Sequence, residues 1–227
     1  GYGNLAQIDC RDNPSALENL RNMIEAGERG KGLVGQLLTF ARRQAEPRVP
    51  VDPGIAAASA VSLLRPTVPA GVEVRLDVEA AVPAVLADAT QIHQLITNLL
   101  TNGVQAMEER GGHLDLTVSR VEVSEAMAAR ESELSPGPWA RIAVRDQGPG
   151  IDPVTRKRIF EPFFTTKSIG RGVGLGLAVA HGIVKSHGGA IFVHSELGQG
   201  TTFEVFLPIC EGAPAQSVAA SSATPRG

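Results

Sequence analysis

The sequence predicts an α+β two-layer sandwich preceded by a partial helical hairpin that forms a dimeric bundle. Three observations carry this. Apolar residues step by three and four from Pro14 to Gln44, a proline-rich break follows, and helical and period-two segments then alternate as far as Pro208.

In the first segment Leu17, Leu20, Ile24, Val34, Leu37 and Ala41 mark an amphipathic stripe, interrupted by small residues at Gly27 and Gly30. A stripe this long and narrow suits a hairpin or bundle better than packing onto a sheet, with 1–7 as the end of an earlier helix and 8–13 as the turn. Prolines at 47, 50 and 53 break any helix, so 46–53 reads as a linker. Beyond it the patterning predicts helices over 54–64, 90–109 and 173–186, and strands over 72–78, 114–123, 140–145, 190–195 and 202–207. Ser124 to Gly137 is a polar insertion, expected as a surface loop with some helix. The Ala/Ser/Pro-rich end lacks core-forming residues and is expected to be a flexible tail. The resulting domains are 1–47, 48–209 and 210–227.

With 43% hydrophobic residues in 227, the chain can bury an ordinary core. A net charge of -3, with scattered cations, disfavours a nucleic-acid partner. No apolar run approaches the roughly 20 residues of a membrane span, and the first residues do not resemble a signal peptide, so a cytoplasmic location is expected. Cys10 and Cys210 have no partners at metal-binding spacing and read as free thiols.

Five constellations carry chemistry. Asn98 and Asn102 fall one turn apart on the polar face of a helix whose other face is Ile92, Leu95, Ile96, Leu99 and Leu100; such carboxamides can ligate a hydrated Mg²⁺ without adding negative charge near phosphates, or can be plain surface residues. Asp146 follows the apolar strand Ile142-Ala143-Val144 and precedes Gly148, Gly150 and Ile151. A carboxylate there can accept from an exocyclic amine such as adenine's, while the glycines let a planar ligand approach the backbone; a solvated turn is the bland alternative. Phe160, Phe163 and Phe164 cluster before Lys167 in a chain only 4% aromatic, as core and as a hinge. Gly170, Gly172, Gly174 and Gly176 alternate with Arg171, Val173, Leu175 and Leu177 at the start of a helix, where bared N–H groups suit a triphosphate. Finally Gly198-Gln-Gly200 turns the chain before Thr201, whose hydroxyl can join the base pocket. The P-loop, dinucleotide and protein-kinase signatures are absent.

In this order over Val51 to Pro208, the motifs resemble the ATP-binding domain of sensor histidine kinases. Asn98 to Asn102 resembles the N box, Asp146 to Gly150 the first glycine box, Phe160 to Phe164 the F box and Gly172 to Gly176 the second glycine box. Leu37 to Gln44 similarly resembles the second helix of the dimerisation and phosphoacceptor hairpin. The resemblance implies ATP and Mg²⁺ as cofactors, Asn102 as metal ligand, and Asn98, Asn102 and Lys167 in the transfer machinery. Around the nucleotide it places Gln105, Asp146, Gly148, Gly150, Ile151, Phe163, Lys167, Arg171, the run from Gly172 through Val173, Gly174, Leu175, Gly176 and Leu177, and Thr201. Thr165 to Arg171 corresponds to the ATP lid. Gly103 and Gln105 depart from the family's usual Ala and basic residue. Implied partners are a second copy through the hairpin and a response regulator or receiver domain.

Related gyrases, MutL-type mismatch-repair proteins and chaperones hydrolyse ATP with a Glu four residues before the metal-binding Asn. Asn98 stands there, and an amide cannot take a proton, so transfer to a protein is favoured over hydrolysis. A non-catalytic nucleotide-sensing dimerisation module is the third reading. The family's acceptor His is followed by an acidic residue; His93, His113, His181, His187 and His194 are not, so the acceptor is expected upstream of Gly1.

Overall fold

The fold comes from a computed structural model, which describes residues 15–21, 23–24, 47–166 and 173–210. Two compact units divide the chain, Gly1–Gln44 and Ala45–Gly227. In the first, 15–21 and 23–24 are helical. The hairpin turn lies outside the described residues, as do Val34, Leu37 and Ala41 of the amphipathic stripe and the tail from 211.

The second unit begins with β1 (Val49–Val51), α1 (Pro53–Leu64), β2 (Val72–Val78), β3 (Val85–Ala87), α2 (Ala89–Ala106) and β4 (Gly112–Val123). It continues with α3 (Glu125–Arg130), β5 (Gly137–Asp146), α4 (Pro153–Arg156), α5 (Gly176–Ser186), β6 (Ala190–Glu196) and β7 (Gly200–Pro208). Five strands form one sheet in the order β2-β4-β5-β7-β6; β2 and β4 run parallel and the other pairs antiparallel. The predicted α+β two-layer sandwich is present. Period-two alternation explains the layering: Leu114, Leu116 and Val118 of β4 are fully buried, whereas Asp115, Thr117 and Ser119 are not. Ile92, Leu95, Ile96, Leu99 and Leu100 bring the apolar stripe of α2 into the same core, with Ala57, Val61, Val179 and Ile183 from the flanking helices.

Helix starts are fixed by capping carboxylates. Asp52 Oδ1 accepts from the N–H groups of Gly54 and Ile55 at 2.7 and 3.1 Å, and Asp88 Oδ1 from those of Thr90 and Gln91 at 2.9 and 3.2 Å. His187 joins two helix ends: its Nδ1 donates to Ile183 O at 2.8 Å and its Nε2 accepts from the Asp88 N–H at 3.2 Å.

Three expectations need correction. The 46–53 stretch is not all linker, because Val49–Val51 pairs antiparallel with Val85–Ala87 and its Val51 enters the core. Prolines at 50 and 53 hide so short a strand, and an edge strand tolerates the missing donor. The insertion is more than surface loop: its Leu134 joins Trp139 of β5, Val123, Ala190 and Phe206 in a second small core, and Trp139 Nε1 donates to Ser135 O at 2.9 Å. Lastly α5 begins at Gly176 rather than at residue 173.

Candidate functional site

Asp146 ends β5 and is buried, with only 4% of its surface exposed. Its Oδ1 accepts from the N–H groups of Gly148, at 2.8 Å, and Thr201, at 3.2 Å. Both bonds fall on one oxygen, so Oδ2 remains available as an acceptor. Burial pushes the carboxyl above its ordinary value, and the two N–H bonds pull it back only in part.

The loop after Asp146 is shaped by close approach. Gly150 has φ of 73°, and a β-carbon on it would collide with the Glu196 carbonyl in the β6–β7 turn. That turn is tied back by the Gly198 N–H, which donates to Pro149 O at 2.7 Å. Ile151 N–H donates to Ser195 Oγ at 2.8 Å, and Ser195 Oγ also contacts Gly200 O and Thr201 Oγ1 at 3.0 and 2.9 Å. Gln147 holds the start of β4 through the His113 N–H, at 3.0 Å to its Oε1. Ser195 belongs to no motif legible in the sequence, and Gln147, although inside the first glycine box, carries no signal there of its bond to β4.

On α2, Asn98 and Asn102 converge on the first residue of α5. Asn98 Nδ2 donates to Gly176 O at 3.1 Å. A β-carbon on Gly176 would lie 3.7 Å from Asn102 Nδ2 and 3.9 Å from Asn98 Cγ, so the backbone of α5 abuts both amides. Among the described residues, Asn102 Nδ2 is buried without a hydrogen-bond partner. An orphaned amide at a helix start costs free energy until a ligand or solvent satisfies it. Gln105 lies on the same face, half-buried. The N-cap residue of α5, Leu175, supplies no side-chain hydrogen bond to the start of the helix, where its first N–H groups and the positive end of its dipole lie.

The F box is joined to α5. Phe160 stacks on His181 with ring centroids 5.1 Å apart, and burial holds that imidazole below its ordinary value, helped by Lys185. Arg158 sits over the Phe164 ring at 4.3 Å. Phe163, with φ of 67°, is 60% exposed, and its N–H donates to Gly174 O at 2.9 Å. Gly174, at φ 69°, packs so tightly on the Phe163–Phe164 backbone that a side chain there would collide with it. Leu175 is buried and Leu177 packs on the core, which leaves only their backbone groups for a ligand. Val173 is half-buried. Lys167, Arg171 and Gly172 lie outside the described residues.

Among the described residues Cys210 carries a free, half-buried thiol, no group of three His, Cys, Asp or Glu is placed to hold a metal, and no helix is long and apolar enough to cross a membrane.

The comparisons agree with this geometry. Residues 87–211 match the family described as "Histidine kinase-, DNA gyrase B-, and HSP90-like ATPase". Sensor kinase CckA of Brucella abortus is 36% identical over 198 residues, which is 87% of this chain and 21% of that protein. Two-component sensor PprA of Pseudomonas aeruginosa is 38% identical over 207 residues, covering 88% and 20%. The chain thus spans about a fifth of the length of these curated relatives. Among solved structures, full-length ShkA in complex with AMPPNP superposes with a TM-score of 0.69 at 31% identity, over 89% of this chain and 40% of that one. The mycobacterial sensor histidine kinase MprB gives 0.58 at 25%, over 71% and 97%. The chain belongs to the histidine kinase-, DNA gyrase B- and HSP90-like ATPase family, and its second unit is an ATP-binding domain of the sensor-histidine-kinase type.

Proposed function

We propose that the second unit binds Mg-ATP and transfers its γ-phosphoryl group to a histidine outside this chain, from which a response regulator or receiver domain takes it. One observation carries the reading: a buried carboxylate with an available oxygen, an orphaned amide at Asn102 and an uncapped helix start share one site. Asp146 Oδ2 accepts from the adenine amine, and Gly148, Gly150, Ile151, Phe163 and Thr201 surround the base. Phosphate oxygens take the N–H groups at the start of α5, from Val173 through Gly174, Leu175, Gly176 and Leu177. Lys167 and Arg171 are assigned to the lid, Gly172 to the second glycine box, and Gln105 to the phosphate side of α2.

Asn102 fits a magnesium ion through its carboxamide oxygen, a hard ligand, while its nitrogen, without a partner among the described residues, can donate to a phosphate oxygen. When bound, that ion neutralises charge on the phosphate oxygens. The protein's own work is positioning. Asn98 holds the α5 start through Gly176 O, Asn102 and the helix end fix the triphosphate, and the incoming imidazole nitrogen bonds to γ-phosphorus as its bond to the bridging oxygen breaks and ADP leaves.

The gyrase-type hydrolysis reading is not favoured, because Asn98 replaces the water-activating Glu and its amide is already engaged with Gly176 O. The wider setting we propose is cytoplasmic, with a second copy engaged through the hairpin segment. For Asn102→Ala, phosphorylation of a separately supplied intact histidine-bearing hairpin is expected to be lost while the circular dichroism spectrum is kept. Labelled phosphate still appearing on the hairpin at the unaltered rate would remove Asn102 from the metal site. No transfer by the unaltered chain, with ATP bound and no ADP released, would favour the non-catalytic module.

A further inference from the structure

We infer that Ser195 is a positioning residue that fixes the direction of the Thr201 hydroxyl and thereby sharpens the pocket's preference for adenine over a base carrying a carbonyl. This rests on the nucleotide site proposed above. Ser195, Thr201 and Asp146 are register partners on the adjacent strands β6, β7 and β5, so their side chains stand in a row on one face of the sheet. Thr201 and Asp146 are both buried, at 5% and 4% exposure.

Proton counting sets the direction of each bond. A hydroxyl has one hydrogen and two lone pairs. Ser195 Oγ accepts from the Ile151 N–H at 2.8 Å and faces the Gly200 carbonyl at 3.0 Å. A carbonyl cannot donate, so Ser195 gives its only hydrogen to Gly200. The remaining contact, 2.9 Å to Thr201 Oγ1, then requires Thr201 to be the donor. With its hydrogen committed to Ser195, Thr201 can offer a ligand only a lone pair. Beside it the available oxygen of Asp146 is an acceptor too. Two adjacent acceptors suit a base edge that presents hydrogens, such as an exocyclic amine. A carbonyl in the same position faces lone pairs and leaves buried groups unpaired, which is the stronger basis for rejection.

Ser195→Ala frees the Thr201 hydrogen to turn toward a carbonyl. The test is the ratio of affinities for ATP and inosine triphosphate, which carries a carbonyl in place of the amine, measured by calorimetry with magnesium. Ser195→Ala is expected to narrow that ratio about tenfold, the size of one hydrogen bond, and Ser195→Thr to preserve it. In a Thr201→Val background, Ser195→Ala is expected to leave the ratio unmoved, because Ser195 acts through Thr201. A merely architectural Ser195 would weaken both nucleotides equally in both backgrounds, and that result overturns the proposal. Should Ser195→Ala fail to fold, Thr201→Val alone must narrow the ratio; an unchanged ratio overturns the proposal as well. Asp146→Asn separates the two levels. Loss of ATP affinity in that variant with an unmoved Ser195→Ala ratio defeats the Ser195 assignment alone, whereas unchanged ATP affinity defeats the pocket and this inference together.

Discussion

At Asp146 function and stability pull in opposite directions. Burial raises its carboxyl above the ordinary value, so the folded chain holds that proton more tightly than the unfolded chain does. The contribution to stability is therefore fully present below the unfolded value, near 4, and is lost as pH rises through the raised folded value. At neutral pH the buried charge weakens the ligand-free fold. Asp146→Asn keeps an oxygen for the Gly148 and Thr201 N–H groups, so its melting temperature without nucleotide is expected to exceed the wild type's at pH 7, the gap closing as pH falls through the raised folded value toward about 4. Melts across that pH range check this; a lower melting temperature for the variant at pH 7 contradicts it. Asp146 was legible because a carboxylate at the end of an apolar strand, just before two glycines, is an unusual combination. Ser195 and Gln147 were not, since a serine in a strand and a glutamine in a turn acquire meaning only from the register that brings Ile151, Gly200 and His113 to them.

The contact between α2 and β4 explains why this chain carries Gly103. A β-carbon there would stand well inside contact distance of Leu114 Cδ1, itself fully buried, and 3.6 Å from Asp146 Cβ. Two terms oppose each other in Gly103→Ala: overpacking costs about 1 to 3 kcal/mol, and exchanging a helical glycine for alanine returns about 1 kcal/mol. Net destabilisation is expected in the wild type. In a Leu114→Val background, which lacks the clashing δ-methyl, Gly103→Ala is expected to stabilise. Denaturant unfolding of the two pairs tests the change of sign, and equal effects in both backgrounds would show that Leu114 is not the obstacle. At this scale the long, strongly patterned elements were legible, α2 and β4 above all. What escaped was set by pairing or packing at a distance: β1 at three residues among prolines, and Leu134 of the polar insertion packing on Trp139 of β5. The start of α5 escaped for a related reason, since apolar residues from Val173 onward continue the pattern while Gly174 breaks the helix to meet the F box.

Across the whole molecule, segments far apart in the chain become one site because the sheet order places the ends of β5, β6 and β7 together and α2 lies over Asp146. The same arrangement accounts for the motif order, since each box is a strand end, a helix start or the loop between them. The nucleotide-binding residues proposed above all fall in the second unit. Nucleotide binding there is tested most directly by calorimetric titration of Mg-ATP into the chain and into Asp146→Asn. Saturable binding to the unaltered chain is expected, with loss of a charge-assisted hydrogen bond weakening the variant by about 1.5 to 3 kcal/mol, roughly tenfold to a hundredfold. Equal ATP affinity in the two proteins would contradict the assignment of this site.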